Sequence, residues 1–180
     1  MSHRDDLLKI LVQNSLQKGD FTLASGKKSS YYIDGKLTTL DSRGAYLVAR
    51  IFLAMLADDV PEAIGGLTLG ADPIIGAMLA LAGMEDLALK GLIIRKETKR
   101  HGTQSLVEGS PAPGDRVAIV EDVVTTAGSS IKAIQALREK ECEVTRVLAI
   151  VDREQGGKDN LQGVGCRLQS IFSIRELLET

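Results

Sequence analysis

Two cysteines, Cys142 and Cys166, are all that the 180 residues contain, and their spacing matches no metal-ligand pattern. That excludes a disulfide framework and reads as reduced thiols in or near a core, so the expected location is the cytoplasm. Long apolar runs are missing as well. No stretch reaches the ~18 residues that a bilayer span needs, and the start, Met1 to Asp6, lacks the apolar centre of a secretory signal. A formal net charge of −2 leaves no general excess of either sign. It argues against nucleic acid as the main partner and leaves room only for a local basic patch. Aromatic residues make up just 3%, with three tyrosines. No repeat, low-complexity tract or linker divides the chain. What is present, 44% hydrophobic residues, suits one domain over 1–180 with a proper core, since domains usually run to roughly 100–200 residues.

The apolar spacing of Leu7, Leu8, Leu11 and Val12 predicts an amphipathic helix after Ser2, ended near Gly19. Short strands are expected at Phe21–Leu23 and Tyr31–Ile33, and a second helix after Asp41 or Ser42. A strand at Ala63–Leu69 leads to a helix reaching Leu81, with Asp72 as its N-cap and Pro73 in its first turn. Strands at Gly91–Ile94, Val117–Val120 and Val144–Val151 are almost wholly apolar, and Gly128–Lys140 reads as a helix. A final strand and a short helix are expected over Leu168–Thr180. Apolar strands alternating with helices imply a central parallel, Rossmann-like sheet covered on both faces. Ligands bind such sheets at the carboxyl ends of the strands. Four segments fall at such ends: Thr68–Asp72, Arg95–His101, Glu121–Ser129 and Asp152-Arg153.

The third of these carries the most information. The run Val117 to Val120 ends in Glu121 and Asp122, followed by Val123, Val124, Thr125, Thr126, Ala127, Gly128 and Ser129. A strand, a loop of small hydroxyl residues and a helix start together offer free backbone N–H groups to a phosphate dianion. The acidic pair would repel that phosphate. It must face something cationic or rich in hydroxyls, and a ribose ring with a bound metal ion supplies both. The simplest ligand satisfying both halves is a sugar phosphate.

This segment resembles the 5-phosphoribosyl 1-pyrophosphate (PRPP) signature of the type I phosphoribosyltransferases. The resemblance implies that family's α/β fold, with a small hood built mainly from about 1–40 and 153–180. It implies that residues 121–129 bind PRPP, with Thr125–Ser129 on the 5-phosphate and Glu121 and Asp122 on the ribose hydroxyls. Magnesium is the implied cofactor, carried by PRPP and reached through water, if at all, from Asp72 or Asp122.

Three other segments narrow the resemblance to the orotate-using branch. Arg95-Lys96-Glu97-Thr98-Lys99-Arg100-His101-Gly102 carries a net charge of +3 with His101 neutral and opens a loop reaching Ser110. Loops of that length inside a domain are usually functional. Its Arg-Lys-x-x-Lys-x-His pattern is similar to the branch's catalytic loop. That implies PRPP contacts from Arg95, Lys96, Lys99 and His101, a catalytic role for Lys99 beside Asp122, and a homodimer in which the 95–110 loop completes the neighbour's site. Asp152-Arg153-Glu154-Gln155-Gly156 is similar to the segment whose arginine grips the orotate carboxylate, together with Thr125. Arg153 either makes that guanidinium fork or pairs at the surface with Glu154. Phe21–Gly26 and Ser29–Asp34 resemble the hood over the base, with Tyr32 or Ile33 available to stack on a pyrimidine. Where some members place a PRPP-contacting lysine this chain has Ala24, and Lys27 or Lys28 is the available substitute.

Gly65 to Asp72 is similar to the family's pyrophosphate loop, in which Asp72 either caps its helix or also organises the pyrophosphate through water. The implied activity is transfer of ribose 5-phosphate from PRPP to orotate, within pyrimidine synthesis. The alternatives are transfer to another base, or a PRPP-binding regulator without turnover. No nucleic-acid or membrane partner is expected.

Overall fold

The computed structural model describes residues 2–22, 26, 28–97 and 105–180. The first helix, α1 (His3–Ile10), starts at a reciprocal cap: the Ser2 hydroxyl accepts from Asp5 N at 3.2 Å and the Asp5 carboxylate accepts from Ser2 N at 3.0 Å. One π-helical turn, Leu11–Ser15, follows. The chain then becomes strand β1 (Leu16–Thr22), which pairs antiparallel with β2 (Lys28–Ile33) in a two-stranded sheet. The helix therefore stops at Ser15 and not near Gly19. The physical reason is tertiary: Ser15 is fully buried, with its hydroxyl 2.7 Å from that of Thr38. The expected strand end at Leu23 lies outside the described residues, as do Ala24, Ser25 and Lys27.

A short helix that the apolar pattern did not reveal, α2 (Lys36–Thr39), precedes α3 (Ser42–Leu56). Asp41 caps α3 by accepting from Gly44 N at 2.9 Å. The main sheet is built from β3 (Ala63–Leu67), β4 (Lys90–Ile94), β5 (Val107–Glu108), β6 (Arg116–Val124), β7 (Glu143–Asp152) and β8 (Arg167–Ser173). Helices α4 (Asp72–Met84), α5 (Gly128–Arg138), α6 (Gly157–Gly163) and α7 (Ile174–Leu178) complete the chain.

The spatial order is β5-β4-β3-β6-β7-β8. All neighbours run parallel except the two-residue β5, which is antiparallel to β4. The sheet is thus the central parallel one expected, with a single short antiparallel strand added at one edge. β8, the final strand expected in the tail, extends this sheet beside β7.

The alternation along the strands explains why both faces are covered. Ala118, Val120, Leu148 and Ile150 point into one core with Leu47 and Phe52 of α3 and Ile74 and Met78 of α4. Val117, Ile119, Val147 and Ala149 point into the other with Ile134 and Leu137 of α5. Leu7, Leu11 and Ile33 belong to the first core, which ties the N-terminal elements to the sheet. Among the described residues no helix is long and apolar enough to cross a membrane.

From β3 the chain moves through α4 to β4 on one side, and from β6 through α5 to β7 on the other. The order therefore reverses between the neighbours β3 and β6, and a crevice opens beyond their carboxyl ends.

Candidate active site

The two loops at that crevice are the ones singled out by sequence. β6 was expected to stop at Val120. It instead continues through the acidic pair to Val124, because β7 runs on to Asp152 and pairs with it, Val123 opposite Val151 and Val124 opposite Asp152. Beyond Val124 the chain turns through a left-handed residue, Ala127 at φ 63°, which caps α5. A non-glycine residue there costs on the order of 1–2 kcal/mol, a strain that tends to persist where it positions a site. Glu121, residues 123–130 and Lys132 line a cavity of about 340 Å³ at the start of α5. The first N–H groups of that helix have no acceptor within it, and its dipole adds partial positive charge. The loop is held from behind. Arg153 N donates to Val124 O at 2.9 Å, and Asn160 Nδ2 donates to Thr126 O at 3.0 Å. Lys132, a turn into α5, is the cation lining this cavity among the described residues. It lies outside the motif, and no local pattern singles it out.

Glu121 is 7% exposed, and its Oε2 accepts from Ser130 Oγ at 3.4 Å. Burial above all, then the adjacent Asp122 charge, pushes its carboxyl up to about 8. Asp122 Oδ1 accepts from its neighbour Val123 N at 2.8 Å. Two glycines allow other segments to approach this pair. A Cβ on Gly35 would lie 2.7 Å from Asp122 Cβ, and one on Gly70 would lie 3.0 Å from Asp122 Oδ1 and 3.1 Å from Glu121 Oε1. Beside them, Lys36 Nζ pairs with Asp34 at 2.5 Å. That hydrogen bond holds the ammonium above its ordinary range, and Asp122 adds to the effect. The turn Asp34–Lys36 and the loop ending at Gly70 thus converge on the acids across long sequence separations.

The Glu121 shift has a sign that can be tested. A carboxyl raised from 4.5 to about 8 stabilises the folded state fully below its unfolded value. That contribution is lost as pH rises through the folded value. Glu121→Gln keeps the shape and stays neutral. The ligand-free variant is therefore expected to melt near the parent temperature at about pH 5 and roughly 5 °C or more above it at about pH 9. Calorimetry on both proteins across that range checks this, and parallel melting curves would remove the buried-acid argument.

Asp72 is the first residue of α4, with the cap position at Ala71, so it does not cap as expected. Its Oδ2 accepts from Thr68 Oγ1 at 2.7 Å, while its buried Oδ1 has no partner. The intervening Thr68–Leu69 peptide is cis. Among the described residues no three or more His, Cys, Asp or Glu side chains group as a metal cage. The donors here, one orphaned carboxylate oxygen and the acidic pair, fit a cation carried in by a substrate and met through water.

Arg95 pairs with Glu108 of β5 at 3.1 Å. Arg95 and Lys96 share with Lys132 the lining of a second cavity, about 220 Å³, between the ends of β3 and β4 and α5. Lys99 and His101 lie outside the described residues.

Arg153 follows β7 on the crevice side. Its Nε donates to Tyr31 Oη at 3.4 Å, its guanidinium carbon sits 5.1 Å from the Tyr31 ring centroid, and its Nη2 is buried without a partner. Glu154 pairs with Arg175 at 3.5 Å, which disposes of the surface pairing with Arg153. Of the two residues expected to stack on a base, Ile33 is buried in the core. Tyr32 lies beside Phe21, with ring centroids 5.8 Å apart. The tyrosine that reaches the arginine is Tyr31.

No family model matches the chain. It is 47% identical over 175 residues to the orotate phosphoribosyltransferase of Thermosynechococcus vestitus, covering 97% of this chain and 92% of that protein. The crystal structure of Mycobacterium tuberculosis orotate phosphoribosyltransferase in complex with Fe(III) dicitrate superposes with a TM-score of 0.86 at 35% identity, over 98% of this chain and 99% of that one. The same enzyme in complex with PRPP gives 0.82 at 31% identity, over 98% and 99%. Sheet order, crevice and relatives together define a type I phosphoribosyltransferase. Within that class the chain belongs to the orotate phosphoribosyltransferase family.

Proposed function

We infer that this chain, acting as a single catalytic domain over 1–180, transfers ribose 5-phosphate from PRPP to orotate. The products are orotidine 5′-monophosphate and pyrophosphate, and the role is in pyrimidine synthesis in the cytoplasm. The observation that carries the reading is the switch-point crevice. It joins a cavity of about 340 Å³ at the start of α5 to an acidic pair, Glu121 buried and Asp122 half-buried, with a buried, unpartnered arginine nitrogen at the end of β7.

In this reading residues 125–129 seat the 5-phosphate and Lys132 offsets its charge. Glu121 and Asp122 hold the ribose hydroxyls, and Asp122 stabilises the positive charge that develops on the sugar as the bond to pyrophosphate breaks. A ring nitrogen of orotate forms the new bond to the anomeric carbon, so no covalent nucleophile is required. Thr125 and Arg153 orient the base, the latter through its carboxylate. Magnesium, when bound with PRPP, neutralises the pyrophosphate, and Asp72 and Asp122 are the side chains that fit it through water. Arg95, Lys96, Lys99 and His101 contact the pyrophosphate from a loop, 95–110, shared across a homodimer. A loop of that kind excludes water and stabilises the departing group.

The direct test follows orotate absorbance with PRPP and magnesium present, then with each omitted. Loss of orotate signal only in the complete mixture is expected. No turnover, with tight PRPP binding retained, would favour a PRPP-binding regulator, and turnover only with another base would replace orotate.

A further inference from the structure

We propose that Tyr31 is a positioning residue for Arg153 and thereby a determinant of affinity for a carboxylated pyrimidine. The inference rests on the reading of Arg153 given above. An arginine side chain that must grip a carboxylate bidentately needs its plane set in advance, because the long stem otherwise loses rotamer freedom on binding. Here the backbone of Arg153 is anchored to Val124 O at 2.9 Å. Its side chain is anchored by a residue 122 positions away, through the Nε to Tyr31 Oη contact at 3.4 Å and the ring 5.1 Å from the guanidinium carbon. With Nε committed to Tyr31, the edge left for a bidentate acid is the terminal one. Nη2 on that edge is already buried and unpaired, which is costly unless an acceptor arrives.

Tyr31 is itself held. It pairs with Lys18 across the two-stranded sheet, and its carbonyl accepts from Ser29 Oγ at 2.7 Å. Strand alternation sends Tyr32 to the opposite face, beside Phe21, so the two adjacent tyrosines are not interchangeable. The ring also offers the quadrupole attraction of an aromatic face for the cation.

The test separates hydroxyl from ring. Steady-state constants are measured for the parent, Tyr31→Phe, Tyr31→Leu, Arg153→Ala and the double variant Tyr31→Leu/Arg153→Ala. Tyr31→Phe is expected to raise the orotate KM about threefold and Tyr31→Leu about tenfold, with the PRPP KM within about twofold of the parent in both. The double variant is expected to be no worse for orotate than Arg153→Ala alone, because Tyr31 acts through that arginine. An unchanged orotate KM in Tyr31→Leu, equal rises for both substrates, or additive losses in the double variant would each overturn the proposal. Should Tyr31→Leu fail to fold, Tyr31→Phe decides by the same comparison of the two KM values. If Arg153→Ala itself leaves orotate binding unchanged, the reading of Arg153 fails with it. If only the Tyr31 variants are silent, the positioning role alone is wrong.

Discussion

Replacing Asp122 by asparagine is expected to lower kcat by about 100-fold or more, with the fold and melting behaviour retained. The size follows from what the proposed mechanism loses: a fixed negative charge aimed at a centre that becomes positive only in the transition state. Asn keeps the volume that Gly35 and Gly70 are packed against, where any added atom would sit about 3 Å or less from Asp122. The Val123 N–H can still donate to its amide oxygen as it does to Oδ1 at 2.8 Å. What changes is charge. Steady-state kinetics check the drop, and unchanged kinetics would place Asp122 outside the chemistry. The same variant tests the shared loop. Lys99→Ala is expected to lower kcat more than it weakens PRPP. Mixing Lys99→Ala chains with Asp122→Asn chains is expected to regenerate one intact site per mixed dimer. No recovery on mixing would end the idea that the loop acts on its neighbour.

Arg153→Ala is expected to raise the orotate KM by about 100-fold while PRPP affinity stays within about twofold. Truncation leaves the substrate carboxylate desolvated without its partner, which costs a few kcal/mol and so accounts for the factor. The selectivity for one substrate follows from position. Arg153 stands at the end of β7, with its Nε hydrogen-bonded to Tyr31 and its Nη2 without a partner. Its backbone bond to Val124 O survives the substitution, so the loop that begins at Thr125 keeps its support. Equal weakening of both substrates would show instead that the side chain supports the loop as a whole.

The elements at the site differ in how far local sequence specified them. Val117–Ser129 could be interpreted before any coordinates, because a strand, an acidic pair and a helix start are consecutive and obey local rules of propensity, capping and dipole. The same holds for α3, whose Asp41 cap and apolar period are both nearest-neighbour signals. α2 and α6 were not visible, being four and seven residues long and too short for a period to declare itself. The first helix was read four residues too long, since its end depends on Ser15 meeting Thr38 and no local breaker marks it.

By itself, then, the chain's sequence determined the class of fold and set a hydroxyl-rich loop, an acidic pair and Arg153 at strand ends, while the roles proposed for them rest on the family resemblance. Those segments are written in contiguous residues, and short-range physics is enough to place them. Only the tertiary structure decided that Tyr31 and not Tyr32 or Ile33 faces Arg153, that Gly35 and Gly70 close on Asp122, and that Asp72 bonds Thr68 instead of capping. Those choices are contacts or packing geometry in three dimensions. They depend on strand register, on which side of the sheet each connection crosses, and on how closely two backbones can approach, none of which a one-dimensional pattern carries.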